Sequence, residues 1–226
     1  MRHLPRGLAM VTILHQDRDC VAVMKPCGVA AVPERAEDDA CLSAVLAAEL
    51  GCRVFPVHRL DKEVSGVILY ARSAEAHRFL NAAFEQRRVR KTYLAVAHGV
   101  IAADSGVIRR AIRAFGSGRM GVDDNRGKPS ETGFEVVGRN ERFSLVRLHP
   151  LTGRRHQLRV HLYSVGHPIA GDARYGEPGA QAGHPRLMLT STGLSLQLPS
   201  GAQLELEAVV PDDFRDAATG FYGLAL

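Results

Sequence analysis

One short segment of the chain combines side chains that could do chemistry. Within residues 58–66 (HRLDKEVSG), the carboxylate of Asp61 precedes an apolar run at residues 67–71 that has the composition of a buried strand. Burying a lone carboxylate costs on the order of several kcal/mol unless the charge is paired. Asp61 is therefore expected at the surface, in a structural ion pair, or in a site where it does chemistry.

Two distant segments each supply one further side chain. Residues 92–97 alternate as a strand does, which places Tyr93 on a rigid support. Arg159 lies on a predicted helix, four residues after Arg155, so the two can share a face. In one pocket, the arginine would lower the carboxylate's pKa by charge pairing, and the ring would stack on a flat substrate. Singly, the three are better explained as a turn aspartate, a core tyrosine and a surface arginine, so the hypothesis depends on their combination.

These residues must be positioned by the helices and strands around them. Because turns rather than helical crossovers join most of the predicted strands, we expect an α+β fold with a mixed, mainly antiparallel central sheet and flanking helices and loops. No linker separates two domains, so residues 1–226 are expected to form a single domain. The helical pattern of residues 155–165 places Leu158, Leu162 and Val165 on an apolar stripe. The other predicted helices are residues 41–50 and 74–87, the latter capped by Ser73. The predicted strands are residues 11–14, 20–24, 67–71, 92–97, 134–137, 143–149, 187–190, 194–198 and 203–209.

A glycine-containing basic stretch occupies residues 104–131. Its later part, residues 116–130, is predicted to be a mobile basic loop. It carries Arg119, Arg126 and Lys128, which are candidates for phosphate contacts. A solvated connection without a partner explains the same composition.

The charge balance is compatible with a nucleic-acid partner. The 226 residues carry a net charge of +5, and arginine supplies 25 of the 29 basic side chains. Arginine binds phosphate through two hydrogen bonds and stacks on bases, which suits RNA. A genomic base composition that favours both arginine and alanine explains the bias equally well.

Composition also restricts the cellular setting and the kind of site. No apolar run approaches the roughly 20 residues that span a bilayer, and residues 1–10 lack the apolar core of a signal peptide. We therefore expect a cytoplasmic protein that does not contact membranes. Cys20, Cys27, Cys41 and Cys52 form no CxxC pair and are expected to be reduced thiols. His156 and His161 lie five apart, a poor ligand spacing, and no metal site is predicted.

Six strings in order along the chain resemble the RluA-type pseudouridine synthases, which isomerise uridines in structured RNA. The resemblance extends from about residue 11 to about residue 214. The strings lie at residues 23–28, 58–66, 90–93, 128–132, 152–161 (TGRRHQLRVH) and 166–172. One position departs from the family pattern: Val64 replaces the usual threonine, which removes one hydroxyl. The small N-terminal RNA-binding domain that many relatives carry is not expected here.

The resemblance implies the pseudouridine synthase fold and a role for each site residue. Asp61 would be the essential catalytic carboxylate, Tyr93 would pack on the uracil and could assist proton removal from carbon 5, and Arg159 would pair with Asp61. Arg59 would enter the RNA stack that the target base has left. The other predicted RNA contacts are His58, Arg155, Arg119, Arg126 and Lys128.

The implied reaction is the isomerisation of a specific uridine in rRNA or tRNA by a monomer. It adds no atom and changes no oxidation state, so no cofactor is expected. Two mechanisms stay open: Asp61 attacks the ribose carbon, or it assists the loss of uracil through a glycal-type intermediate. Two rival functions also stay open: a catalytically silent RNA-binding protein of the same fold, and an RNA-targeted hydrolase.

Overall fold

The chain divides into two compact units. One consists of residues up to Val89 together with Ser191–Val209, and the other of Arg90–Thr190 together with Val210–Leu226. The structure, a computed structural model, describes residues 11–33, 41–116 and 118–226. The prediction about residues 1–10 lies outside these ranges, and the prediction of one catalytic domain stays a prediction.

The first unit is built on antiparallel strands flanked by two helices. Strand β2 pairs with both β1 and β4, and β3 and β11 also lie beside β4. Strand β12 pairs with β11, which enters this unit at Ser191. The elements are β1 (Ile13–Gln16), β2 (Cys20–Lys25), α1 (Leu42–Leu50), β3 (Phe55–Pro56), β4 (Ser65–Ala71), α2 (Ala74–Glu85), β11 (Leu189–Gln197) and β12 (Gln203–Glu207).

The second unit contains a four-stranded antiparallel arrangement in the order β5-β10-β9-β6, together with a separate β7–β8 hairpin. A single π-helical turn, Ala217–Phe221, follows its last α-helix. The elements are β5 (Arg90–His98), β6 (Ser105–Arg109), β7 (Ile112–Ala114), β8 (Met120–Val122), β9 (Glu131–Arg139), β10 (Phe143–Pro150), α3 (Gln157–Ser164), α4 (Pro178–Gln181) and α5 (Asp212–Asp216).

Each unit has its own apolar core. In the first unit, side chains of β2, β4, β11 and α2 form one buried cluster, in which Val67, Leu69 and Leu80 are fully enclosed. Strand β4 is buried along its whole length, as its continuous apolar sequence predicts. In the second unit, Val160 of α3 packs with Ile112 beneath the β7–β8 hairpin.

Helix α2 shows how the sequence sets an element boundary. The Ser73 hydroxyl accepts the Ala76 N–H at 3.1 Å, which satisfies one of the backbone donors that a helix start leaves unpaired. The predicted cap is thus confirmed. The helix ends at Glu85, two residues before the predicted end.

The α+β prediction with a mainly antiparallel sheet is confirmed, but several elements differ from the sequence pattern. The two predicted strands at residues 187–190 and 194–198 form one strand, β11, because Gly193 stays extended and pairs with Glu207. Val165 lies beyond the end of α3 and is 44% exposed, so its assignment to the apolar stripe was wrong. Among the described helices, none is long and apolar enough to cross a membrane.

Candidate active site

A buried lysine holds the turn that carries Asp61. The Lys25 ammonium donates to the carbonyls of Pro26, Val29 and Lys62 at 3.0, 2.6 and 2.9 Å. The Gly28 N–H donates to the same Lys62 carbonyl at 2.9 Å. Three carbonyl acceptors match the three N–H donors of an ammonium group, which makes burial of this charge tolerable. The backbone next to Asp61 is therefore fixed from inside the fold.

Asp61 itself is half-buried at the start of a tight turn. Its carbonyl accepts the Val64 N–H at 3.0 Å, and the turn leads directly into β4. Val64 is buried, which suits an apolar β-branched side chain. The turn thus fixes the direction from which the carboxylate leaves the backbone.

The two residues before Leu60 have different environments. His58 accepts the Leu69 N–H at Nε2 (3.0 Å), so its proton lies on Nδ1, and its ring stacks on Phe84 at a centroid distance of 4.8 Å. These contacts give His58 a structural role in the first unit. Arg59 is exposed, as a side chain that enters RNA requires. Contact of either residue with RNA stays a prediction.

Tyr93 lies on β5 in the second unit, paired with Leu148 of β10. Its side chain is half-buried, and the strand around it is confirmed. On the same strand, Lys91 donates to the Thr152 carbonyl at 3.4 Å. Burial lowers the pKa of Lys91 to about 8, because desolvation disfavours the charged ammonium.

Arg159 of α3 is held by a carboxylate that sequence reasoning did not assign. Its Nε and Nη2 donate to Oδ2 and Oδ1 of Asp172 at 2.7 and 2.8 Å, a buried bidentate pair. The Asp172 carboxylate also accepts the N–H groups of Arg174 and Tyr175. Asp172 follows Gly171 within residues 166–172, one of the strings that resemble the family. This Gly-Asp pair was the sequence signal that could have identified Asp172. The predicted pairing of Arg159 with Asp61 stays a prediction.

Gln157 fixes the start of α3. Its amide donates to the Glu131 carbonyl and the Thr132 hydroxyl at 2.9 and 3.0 Å, and its oxygen accepts the Thr152 hydroxyl at 2.7 Å. The residue before it, His156, has a left-handed backbone with φ 55°. Gln157 is therefore the first residue of the helix.

Arg155 precedes that left-handed residue, so it lies outside α3. The predicted helix face shared by Arg155 and Arg159 is wrong, because the two residues do not belong to one helix. Arg155 is exposed, and its RNA contact stays a prediction.

The basic segment is more ordered than predicted. Residues 116–130 include strand β8, and Asp123 closes the following turn by accepting the N–H groups of Asn125 and Arg126. The prediction of a loop throughout was wrong, because Met120 and Val122 pack on the small core beneath the hairpin. Arg119, Arg126 and Lys128 are exposed on this segment.

The histidine at position 161 in α3 has structural partners. Buried His161 contacts the Thr132 hydroxyl at 2.9 Å and the Arg110 carbonyl at 3.1 Å. Burial lowers its pKa, which favours the neutral ring. One group of described side chains, His15, Asp17 and Cys20, brings its donor atoms within 4.8 Å.

That group is explained by the turn between β1 and β2. Asp17 Oδ1 accepts the N–H groups of Asp19 and Cys20 at 2.8 and 2.7 Å, and Oδ2 contacts His15. Burial raises the pKa of the Cys20 thiol to about 12, which disfavours the thiolate that a metal requires. The expectation of no metal stays a prediction.

Comparison with known proteins identifies the class to which this fold and these residues belong. The sequence model of the family described as RNA pseudouridylate synthase matches residues 19–164. The human RNA pseudouridylate synthase domain-containing 1 structure superposes with a TM-score of 0.79 at 31% identity, covering 95% of this chain and 89% of that one. The chain therefore belongs to the RNA pseudouridylate synthase family.

Similar sequences occur in bacteria and plants. The dual-specificity RNA pseudouridine synthase RluA of Yersinia pestis is 38% identical over 83% of this chain and 92% of its own length. The Escherichia coli K12 protein of the same name is 36% identical over 90% and 94%. RNA pseudouridine synthase 7 of Arabidopsis thaliana is 40% identical over 73% of this chain and 45% of its own. The prediction of an RluA-type RNA pseudouridine synthase, an isomerase, is confirmed.

Proposed function

We propose that this enzyme converts a specific uridine of rRNA or tRNA to pseudouridine, with Asp61 as the essential carboxylate. The observation that carries the role of Asp61 is the buried Lys25 ammonium, which fixes the neighbouring Lys62 carbonyl. The buried Lys25 charge holds one turn in place. This supports a requirement that Asp61, the residue that the turn carries, be positioned precisely. The relatives named dual-specificity RNA pseudouridine synthases support an RNA substrate.

The reaction needs few groups because it is an internal rearrangement. The bond from ribose carbon 1′ to uracil nitrogen 1 breaks, the base turns in place, and carbon 5 bonds to carbon 1′. The proton on carbon 5 is lost and nitrogen 1 gains one, so atoms and charge balance without a redox partner. The uridine must first leave its stack, which costs on the order of a few kcal/mol and is cheapest in a loop.

The other site residues take the roles that this reaction requires. Tyr93 packs on the uracil ring and assists removal of the proton from carbon 5. Arg159 pairs with Asp61, and the Asp172 pair supports this role by fixing the guanidinium plane. Arg59 enters the RNA base stack at the position that the target uridine has left. His58, Arg155, Arg119, Arg126 and Lys128 complete the proposed RNA surface. We further propose a cytoplasmic monomer.

The test combines genetics with one substitution and a matched control. Pseudouridine is mapped across the transcriptome of a strain that lacks the gene, then after complementation with wild type, Asp61→Asn or Glu63→Gln. Asp61→Asn should restore no site, since loss of an acid–base group alone lowers rates roughly 10²- to 10⁴-fold. Glu63→Gln changes an exposed carboxylate of the same turn and should restore every site.

Each contrary outcome has a definite meaning. A site restored by Asp61→Asn would remove Asp61 from the chemistry. A purified wild type that binds rRNA and tRNA yet leaves every uridine unchanged would be a silent RNA-binding protein. Free uracil or a cleaved strand would indicate a hydrolase, since isomerisation preserves mass and length.

A further inference from the structure

A cavity of about 360 Å³ lies between the β7–β8 hairpin and α3 in the second unit. This is near the lower end of the roughly 300–1,000 Å³ typical of small-molecule sites, so it suits one nucleotide rather than a larger ligand. None of the site residues predicted to act on the uracil lines it. Its walls include Phe115, Arg119, Met120, Gly121, Tyr163 and Tyr175.

The walls present aromatic rings and a cation. Phe115 and Tyr163 are 41% and 40% exposed, although both line the cavity. The Arg119 guanidinium carbon lies 5.7 Å from the ring centroid of Tyr163 and 5.2 Å from that of Tyr175. Among the described lining residues there is no carboxylate. Aromatic faces combined with an arginine plane are what unstacked bases bind.

The cavity is preformed because hydrogen bonds and ring contacts hold its wall residues in place. The buried Tyr175 hydroxyl accepts the Met120 N–H at 3.1 Å and contacts His156 Nδ1 at 2.7 Å, which ties β8 to the residue before α3. The Phe115 ring lies over Gly121, where a Cβ would be 2.8 Å from the ring. Arg113 covers Phe115, with its guanidinium carbon 4.3 Å from the centroid.

One shared wall connects the cavity with the proposed catalytic arginine. The Tyr175 centroid is 5.2 Å from the guanidinium carbon of Arg119 and 5.2 Å from that of Arg159. An RNA strand whose target uridine is near Arg159 therefore has its neighbouring nucleotides close to Arg119.

We propose that this cavity binds an unpaired base next to the target uridine, stacked on Tyr163 and Phe115, with Arg119 contacting its phosphate. The inference rests on the proposed function, because it takes RNA as the substrate. It adds a second base-binding site that holds the splayed strand while the uridine is in the active site.

The first test measures affinity for tRNA and, separately, for rRNA, each purified from cells that lack the gene. Tyr163→Ala and Phe115→Ala should each raise Kd roughly 5- to 100-fold, as loss of one base–aromatic stack does, whereas Tyr163→Phe should stay near wild type. The matched control is Phe221→Ala, which removes a 56% exposed ring at the other end of this unit's sequence and should leave Kd unchanged. Because Tyr163 and Phe115 are partly exposed, both variants should fold, which circular dichroism checks.

Salt dependence separates stacking from charge. Tyr163→Ala should keep the slope of log Kd against log salt, since a ring releases no counterions, whereas Arg119→Ala should reduce it by about 0.7–0.9. Unchanged Kd in both aromatic variants would overturn the proposal. The proposal would also be overturned if Tyr163→Ala changed the sedimentation of the protein but not its Kd for RNA. That result would indicate that a protein occupies the cavity.

The proposal and the proposed function fail in distinguishable ways. Wild type that restores pseudouridine sites, together with aromatic variants that bind both tRNA and rRNA normally, rejects the second base site alone. Wild type that restores no site rejects the enzymatic function, whereas the Kd comparison still decides what the cavity binds.

Discussion

At the scale of single residues, two buried cations held by oxygen acceptors, one in each unit, support the proposed roles of the site residues. Lys25 binds three carbonyls in the first unit, and Arg159 binds the Asp172 carboxylate in the second. The motif strings predicted that residues near 25, 61 and 159 matter. They did not predict that Asp172 pairs with Arg159, because this contact depends on the path of the chain between α3 and Gly171.

The Arg159–Asp172 pair leads to a stability prediction. Asp172→Ala leaves a buried guanidinium without this partner and should lower the free energy of unfolding by about 3–5 kcal/mol. Urea denaturation measures the change. Glu135→Ala, which breaks the exposed pair with Arg147, is the control and should lower it by at most about 1 kcal/mol. Equal effects of the two substitutions would show that burial does not set the strength of the first pair.

At the scale of elements, the strands around the site were predictable and the basic segment was not. Strands β4 and β5 have runs of apolar or alternating residues long enough to be recognised. Strands β7 and β8 have three residues each, too few to show a period, and several glycines and arginines suggest a loop. The start of α3 was also misplaced, because the left-handed conformation of His156 has no signal in the sequence.

Strand β4 gives the element-scale prediction. Gly66 has φ +114°, and a Cβ there would lie 2.1 Å from the Ser191 carbonyl oxygen of β11. Gly66→Ala should therefore destabilise the protein by at least about 1–3 kcal/mol through overpacking, and should lower activity by displacing the turn of Asp61. Thermal unfolding and pseudouridine formation measure both effects.

Gly138→Ala is the matched control, since Gly138 also lies in a strand but has no atom within 4 Å of the added Cβ. It should change stability by less than about 1 kcal/mol. A Gly66→Ala variant as stable as this control would show that β4 and β11 can move apart without a loss of stability.

At the scale of the whole molecule, net charge predicts attraction to RNA but not where RNA binds. The +5 charge is the sum over the entire sequence, and many arginines are occupied by carboxylates. Arg110 and Arg113 pair with Asp124 and Asp123, for example. Composition cannot distinguish such arginines from those that face a partner.

A comparison at equal charge tests the proposed RNA surface. Replacing Arg119, Arg126 and Lys128 by alanine should weaken RNA binding and reduce the slope of log Kd against log salt by about 2–3, as loss of three phosphate contacts does. Replacing the exposed Arg18, Arg53 and Arg78 by alanine removes the same charge and should alter the slope much less. Filter binding from low to moderate salt measures both, and equal slopes would mean that only net charge attracts RNA.

The interleaved division of the chain has a consequence for protein synthesis. Strand β4 ends at Ala71, but its neighbour β11 enters the first unit at Ser191. At roughly 5–20 residues per second, the ribosome makes those roughly 120 residues in roughly 6–24 s. During that interval the nascent β4 has an apolar edge that β3 covers only at its C-terminal end, and this edge is a substrate for chaperones. Translation speed through residues 72–190 should therefore influence the yield of folded enzyme.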